Sequence, residues 1–149
     1  MHRRNILTAA FAGLGGIFTA ASATRAQPAA APDKAKVVYH LSELERVGFV
    51  LGNIRNHYDG MGGPRNVTIA LVVHGPALKA FHAASATQAV AHDVRQFAGS
   101  GLSLAACGRT MKGQNVGLKD LLPGFVEADR GGVVRIAELQ AQGYVYLRP

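Results

Sequence analysis

The sequence predicts an α/β protein, a three-layer α/β/α sandwich in which a mostly parallel five-stranded sheet lies between helices. Two observations lead to this prediction. Short apolar segments alternate along the chain with segments of helical periodicity, which is typical of a parallel sheet covered by helices. In addition, residues 67–73 are continuously apolar and rich in β-branched side chains, as expected of a strand buried on both faces. We therefore expect residues 67–73 to form the central strand.

The first strand is predicted at residues 37–41 and leads directly into a helix. Ser42 and Glu45 match a capping box at the helix start. Phe49 falls on the opposite side of the helical wheel from Leu51, so the helix has a second apolar side, which a contact between subunits would explain. Spacings of three and four residues predict the stripe that packs on the sheet: Leu44, Val47, Leu51, Ile54 and Tyr58.

The middle of the chain repeats this alternation. Pro76 suits the first turn of a helix over residues 77–84, and a second helix is predicted over 87–98 before a Gly-Ser-Gly turn. Residues 102–106 then form the third predicted strand, which ends at Cys107.

The last part of the chain predicts two more strands. A short helix over residues 110–115 precedes a brief fourth strand at 125–127. A glycine pair opens a helix over residues 131–142, Gly143 suits its left-handed cap, and residues 144–147 form the fifth strand.

Residues 1–26 have the features of a cleavable export signal of the twin-arginine type. Arg3 and Arg4 precede a weakly apolar stretch that several glycines interrupt, and this stretch is too short to span a bilayer permanently. Small residues around Ala23 and Ala26 provide two cleavage positions. We therefore expect a periplasmic protein without a stable membrane span after cleavage, and an ordinary secretory signal is the alternative.

Cleavage of this signal would leave one domain of ordinary size. We expect residues 27–35 to be a disordered start of the mature chain and residues 36–149 to form the folded domain. The full chain has 16 basic and 9 acidic residues, a net charge of +7. Its basic residues are scattered and are not interleaved with aromatic residues, so the sequence predicts no nucleic-acid binding.

The sequence lacks the motifs of several common enzyme classes. The chain has no G-x-S-x-G elbow, no Walker loop, no G-x-G-x-x-G after the first strand and no C-x-x-C, which disfavours the usual hydrolase and nucleotide chemistries. No histidine pair has the spacing of a metal-binding helix face. Because Cys107 is the one cysteine, an intramolecular disulfide is excluded. We expect no resident metal and no cofactor.

Three polar residues follow the predicted strands at the edge where parallel sheets bind ligands. His40 ends the first strand, His74 follows the second and Cys107 ends the third, so we expect them to face one rim of the molecule. Cys107 precedes a predicted helix start and Arg109, and both would favour its thiolate. The alternatives are a buried, inert cysteine and histidines that only stabilise turns. Asn53 is a weaker candidate for binding a ligand.

Five segments carry a resemblance to a known family. They are 36–40 (Lys-Val-Val-Tyr-His), 52–56 (Gly-Asn-Ile-Arg-Asn), 73–76 (Val-His-Gly-Pro), 106–111 (Ala-Cys-Gly-Arg-Thr-Met) and 142–146 (Gln-Gly-Tyr-Val-Tyr). With these segments the domain resembles the DsrE/DsrF-like sulfur-oxidation family, here in an exported form. The resemblance implies a DsrEFH-like sheet between helical layers, a homotrimer or homohexamer, and a persulfide carried on Cys107.

The leading hypothesis is a periplasmic sulfur-handling protein, in which Cys107 accepts sulfur from a small sulfur species or a sulfur-donor protein and passes it on. His74 would orient the substrate or exchange a proton. The remaining ligand-binding candidates lie around these two residues: His40, Asn53, Gly75, Gly108, Arg109 and Thr110.

Two other classes of function stay open at the level of the sequence. One is a binding module without catalysis, in which His40, His74 and Cys107 hold a small ligand or a soft metal ion. The other is an oligomeric scaffold whose function depends on a partner. Whether the protein turns over as a sulfurtransferase-like enzyme is open as well.

Overall fold

The computed structural model describes residues 34–149. The predicted signal at 1–26 lies outside the described residues, as does most of the segment 27–35. The first strand begins at Ala35, within the segment predicted to be disordered. The elements, in chain order, are β1 (Ala35–Leu41), α1 (Val47–Gly60), β2 (Val67–Val73), α2 (Gln88–Gly99), β3 (Ser103–Cys107), α3 (Gly108–Gly113), β4 (Phe125–Ala128), α4 (Gly132–Ala141) and β5 (Val145–Leu147).

The five strands form one sheet in the order β4-β3-β2-β1-β5, and every neighbouring pair is parallel. The predicted parallel five-stranded sheet is thereby confirmed. β2 is the central strand, and all of its residues except Thr68 are buried. The continuous apolar run that suggested a central strand therefore reflects burial on both faces of the sheet.

Alternating strand residues divide the core into two parts. On one face, Leu71 and Leu104 pack with the buried sides of α1 and α2. On the other face, Val38, Ala70, Val72 and Ala105 pack with Ile136 and Leu139 of α4. Helices cover both faces, so the three-layer arrangement follows from the strand period of two.

The start of α1 differs from the prediction. Leu44 is 44% exposed and lies in a short 3₁₀ helix, Leu44–Arg46, that precedes α1. The expected capping box is absent: the N-cap residue is Glu43, which makes no side-chain cap, and the Ser42 hydroxyl accepts a hydrogen bond from Arg148 near the other end of the chain. The other four residues of the predicted stripe are buried, and Val50 joins them.

The helix predicted over residues 77–84 is instead a 3₁₀ helix, Gly75–Phe81. Leu78 and Phe81 are both fully buried, and a spacing of three brings both side chains to one face when there are three residues per turn. The N–H of Ala77 donates to the carbonyl of Ser42, which fixes this turn against the end of β1. Within residues 34–149, no helix is long and apolar enough to cross a membrane.

Candidate functional site at the ends of β1, β2 and β3

His40, His74 and Cys107 lie on the same face of the sheet, the face that α4 covers. Val38, Val72 and Ala105 belong to the core on that face, and each site residue follows one of them by two positions. Because the strands are parallel, their last residues lie at the same edge of the sheet. The topology thus gathers residues that lie more than thirty positions apart in the sequence.

The thiol of Cys107 lies where two helices begin. Cys107 is the N-cap residue of α3, and α4 starts beside it at Gly132. Burial by itself would raise the pKa of the thiol. The Thr110 hydroxyl and the N–H groups of Thr110, Gly132 and Arg109 donate hydrogen bonds to the sulfur, and together they outweigh burial, so the pKa of Cys107 is lowered. This environment favours the thiolate, which is the nucleophilic form.

Glycines allow these backbones to approach. A Cβ atom added to Gly132 would lie 3.3 Å from the Cβ of Cys107 and 3.3 Å from the Cβ of His74. A Cβ added to Gly108 would lie 2.5 Å from a carboxylate oxygen of Glu127. Gly131 has φ of 110°, a conformation that side chains disfavour. The glycine pair at the start of α4 therefore lets the N–H of Gly132 reach the sulfur.

Thr110 connects the thiol to the turn after His74. Its hydroxyl oxygen accepts a hydrogen bond from the N–H of Gly75 at 3.0 Å. Its hydroxyl hydrogen is therefore available to donate to Cys107. The carbonyl of Gly75 accepts from the side-chain amide of Gln114 at 2.9 Å. Both polar groups of the Gly75 backbone are bonded, which fixes the loop that carries His74.

The thiol opens into a cavity of about 240 Å³ that His74 also lines. Cys107 is 7% exposed, so the residue is buried but faces this space. Arg109 and Arg130 are the ionised side chains of the wall, and Arg130 is paired with the carboxylate of Glu138, which lies outside the wall. The side chain of Arg109 lies over Gly131, where an added Cβ would be 3.7 Å from the Arg109 Cδ. The cavity could hold a small anion next to the sulfur.

His40 contacts His74 and the exposed ring of Tyr146. The two Nε2 atoms of His40 and His74 are 2.5 Å apart, and the two rings meet edge to edge, with centroids 4.7 Å apart and planes inclined by 27°. The Nδ1 of His40 is 2.7 Å from the hydroxyl of Tyr146. Burial lowers the pKa of both imidazoles, and the charge of Arg148 lowers both further. The pair is therefore held in its neutral form near neutral pH.

Arg148 is itself paired with Glu43. Its guanidinium group donates to the Glu43 carboxylate and, at 3.2 Å, to the Ser42 hydroxyl. Hydrogen bonds from Arg148 and Ser42 lower the pKa of Glu43 to about 2. The end of the chain after β5 is thereby joined to the loop after β1, beside the histidine pair.

Asn53 does not join this group. It lies on α1 and lines a separate cavity of about 450 Å³ with Tyr39, Asn56 and His57. Tyr39 belongs to the core on the α1 and α2 side of the sheet, whereas His40 lies on the α4 side. Among the described residues, no group of three or more His, Cys, Asp or Glu side chains could hold a metal ion.

Sequence reasoning missed Gly132, Arg130 and Tyr146 as parts of this site. The glycine pair 131–132 was a usable signal, because two glycines between a strand and a helix indicate a close backbone approach. Tyr146 gave no such signal. It reads as an ordinary strand residue, and only the pairing of β5 beside β1 shows that it reaches His40.

Two solved structures are similar to this fold. A protein of unknown function from Methanobacterium thermoautotrophicum, MTH1491, is 26% identical, with a TM-score of 0.68 over 77% of this chain and 99% of its own. The YchN protein from E. coli is 12% identical, with a TM-score of 0.57 over the same shares of both chains. The chain thus has a DsrE/YchN-like fold. No protein-family model and no curated protein matches the sequence.

Proposed function

We propose that this protein accepts sulfane sulfur on Cys107 and holds it as a persulfide for transfer to an acceptor. One observation supports this above all: polar hydrogens of Thr110, Gly132 and Arg109 lower the pKa of the Cys107 thiol, and the thiol faces a cavity that Arg109 and Arg130 line. Donors around a thiolate stabilise its negative charge and would do the same for a persulfide anion.

The transfer step needs no external oxidant or reductant. The Cys107 thiolate attacks the outer sulfur of a donor R–S–SH and forms a new S–S bond. The S–S bond of the donor breaks, and its electron pair leaves with the product R–S⁻. Cys107 then holds S–SH. Attack of an acceptor thiolate on that outer sulfur restores the Cys107 thiolate.

Residues around the thiol have separate roles in this proposal. Arg109 attracts the anionic donor, since its side chain lies along the wall of the cavity. The N–H groups of Arg109, Thr110 and Gly132 stabilise the sulfur of Cys107, which attacks when sulfur is loaded and leaves as a thiolate when sulfur is passed on. His74 supplies a proton to the departing R–S⁻ group, because it lines the same cavity.

The setting of this activity is also a proposal. Residues 1–26 would export the protein to the periplasm, with donors that are small sulfur species or a sulfur-donor protein. Assembly into a homotrimer or homohexamer would cover exposed apolar residues on α1, of which Phe49 is 58% exposed.

The test is mass spectrometry of the purified protein after treatment with inorganic polysulfide. We expect the mass of one or more sulfur atoms on Cys107, removable by dithiothreitol, and no such addition to Cys107→Ser. A Cys107 that stays unmodified in the folded protein, while the same thiol reacts after denaturation, would contradict the proposal. Titration with zinc and copper tests the metal-binding alternative, which predicts stoichiometric binding that His74→Ala abolishes.

A further inference from the structure

Four side chains form a row across four adjacent strands of the sheet. Tyr146 lies on β5, His40 on β1, His74 after β2 and Cys107 at the end of β3, and the strands follow one another in that order. Tyr146 pairs with Val38 in the sheet register, so His40 stands one diagonal step further on the same face. His74 stands in the same relation to His40.

Two hydrogen bonds join Tyr146, His40 and His74 in this row, and the direction of one bond fixes the direction of the other. The Tyr146 hydroxyl is 2.7 Å from His40 Nδ1, and His40 Nε2 is 2.5 Å from His74 Nε2. Each contact needs one hydrogen, and a neutral imidazole carries a hydrogen on only one of its nitrogens. If Tyr146 donates to His40, then His40 donates to His74. If His74 donates to His40, then His40 donates to Tyr146.

The two arrangements differ in the position of one proton in the Tyr146–His40 bond and of one proton in the His40–His74 bond. In the first, His74 carries its hydrogen on Nδ1, and in the second it carries it on Nε2. When the Nδ1 hydrogen of His74 is given to an acceptor, the His40 proton moves to His74, the Tyr146 proton moves to His40, and water reprotonates Tyr146. One proton has then passed from solvent to the acceptor, and every residue is neutral again.

Both ends of the row are open. Tyr146 is 39% exposed, so its hydroxyl can exchange with water. His74 lines the cavity at Cys107, and none of the side-chain hydrogen bonds within residues 34–149 involves its Nδ1. No buried side-chain nitrogen in the described residues lacks a partner, so this Nδ1 is not fully buried. We propose that Tyr146, His40 and His74 form a proton relay that links solvent at β5 to the cavity at Cys107.

The purpose of the relay rests on the proposed function, because the acceptor is the R–S⁻ group released when Cys107 takes sulfur. Tyr146 gives its proton to His40 in this scheme, and so sets which nitrogen of His40 carries the hydrogen. His74 is the residue that delivers the proton. The sequence of steps takes one proton from water for each R–S⁻ that leaves as R–SH. The first arrangement returns when the Nδ1 of His74 takes a proton from an acceptor thiol and the protons move back along the row.

The charges beside the row favour this role. Arg148 and Glu43 are the ionised groups that act on the pair, and they are paired with each other. Burial and Arg148 lower the pKa of both histidines, which keeps them neutral. Only a neutral imidazole can accept a proton on one nitrogen while it donates from the other.

The first test uses nuclear magnetic resonance of protein with ¹⁵N-labelled histidine. We expect the signals of both His40 and His74 to change in Tyr146→Phe. Without the hydroxyl, the nitrogen that carries the hydrogen is no longer fixed in either histidine. Tyr144→Phe is the matched control, since no side-chain hydrogen bond involves Tyr144 in the described residues, and it should leave both signals in place. Signals that do not move in Tyr146→Phe, or histidines that bind one equivalent of added zinc, would overturn the relay.

The second test separates the relay from the sulfur chemistry. We expect Tyr146→Phe to load sulfur from inorganic polysulfide about a hundredfold more slowly than wild type, to the same final persulfide content. We also expect the rate in deuterium oxide to fall for wild type and to change less for the variant. Equal rates would overturn the relay and leave the proposed function standing. If wild type takes up no sulfur, the proposed function fails, and the histidine signals still decide whether the chain of hydrogen bonds exists.

Discussion

The N–H of Gly132, at the start of α4, donates a hydrogen bond to the thiol of Cys107 at the end of β3. These residues lie 25 positions apart, and the absence of a side chain on Gly132 permits the approach. An added Cβ would lie 3.3 Å from the Cβ of Cys107, closer than side chains normally pack. This contact joins the helix that covers one face of the sheet to the sulfur at its edge.

Gly132→Ala should therefore disturb the thiol more than the fold. We expect the backbone at the start of α4 to shift, the hydrogen bond to the sulfur to lengthen, and the pKa of Cys107 to rise. Overpacking of this kind costs about 1–3 kcal/mol of unfolding free energy. The pH dependence of iodoacetamide alkylation measures the pKa, and urea unfolding measures the stability.

Gly48→Ala is the control for that variant. Gly48 also lies in the first turn of a helix, but a Cβ there would meet no atom within 4 Å. Alanine should stabilise α1 by up to about 1 kcal/mol and leave alkylation of Cys107 unchanged. Equal alkylation profiles for Gly132→Ala and Gly48→Ala would show that Gly132 does not support the thiolate.

Thr110→Val should also raise the pKa of Cys107. The hydroxyl donates to the sulfur and accepts from the N–H of Gly75, and valine does neither while keeping the shape. The unpaired N–H of Gly75 should lower the unfolding free energy by about 1–3 kcal/mol. Thr110→Ser keeps the hydroxyl and should resemble wild type in alkylation rate. A serine variant as slow as the valine variant would refute the role of the hydroxyl.

The histidine pair should make the fold less stable in acid. The folded pKa values of His40 and His74 lie below the ordinary value of 6.5, so below that pH the unfolded chain binds protons that the folded chain does not. The free energy of unfolding therefore carries no penalty from these histidines above pH 6.5. It decreases as the pH falls from 6.5 through their folded pKa values. Urea unfolding between pH 7.5 and 5 should show a falling free energy of unfolding.

Substitutions identify the source of that acid effect. His74→Gln should flatten the dependence on pH, because it removes one of the two groups that resist protonation. His92→Gln, on the exposed side of α2, should follow the wild-type curve. If the free energy of unfolding of His74→Gln fell with pH as steeply as that of wild type, groups other than His74 would cause the effect.

Phe49→Lys should weaken the proposed self-assembly. Phe49 is 58% exposed on α1, and a charge in a contact between copies would be costly to bury. We expect light scattering to give a trimer or hexamer for wild type and a smaller species for the variant. Gln88→Lys, an exposed polar position on α2, should keep the wild-type mass. A monomeric wild type would contradict the proposed assembly.

Elements with strong periodicity were predicted well from the sequence. The run at Val67–Val73 gave the central strand, and Thr87 caps α2 through the N–H of Val90 at the predicted boundary. The predictions failed where distant residues compete for a local group. Ser42 fits a capping box by its spacing, but the helix begins after Glu43 and the Ser42 hydroxyl bonds to Arg148, and no local pattern shows a contact with a residue 106 positions away.

The sequence by itself determined the parallel sheet and put a histidine or cysteine after each of three strands, because strand period and burial are local properties of the chain. Only the tertiary structure decided what each of these groups contacts. It brought Gly132 to the sulfur, Tyr146 to His40, and Asn53 to a separate cavity. Those contacts depend on the order in which strands pair and on the position of α4, and both are set by packing between segments far apart in the sequence.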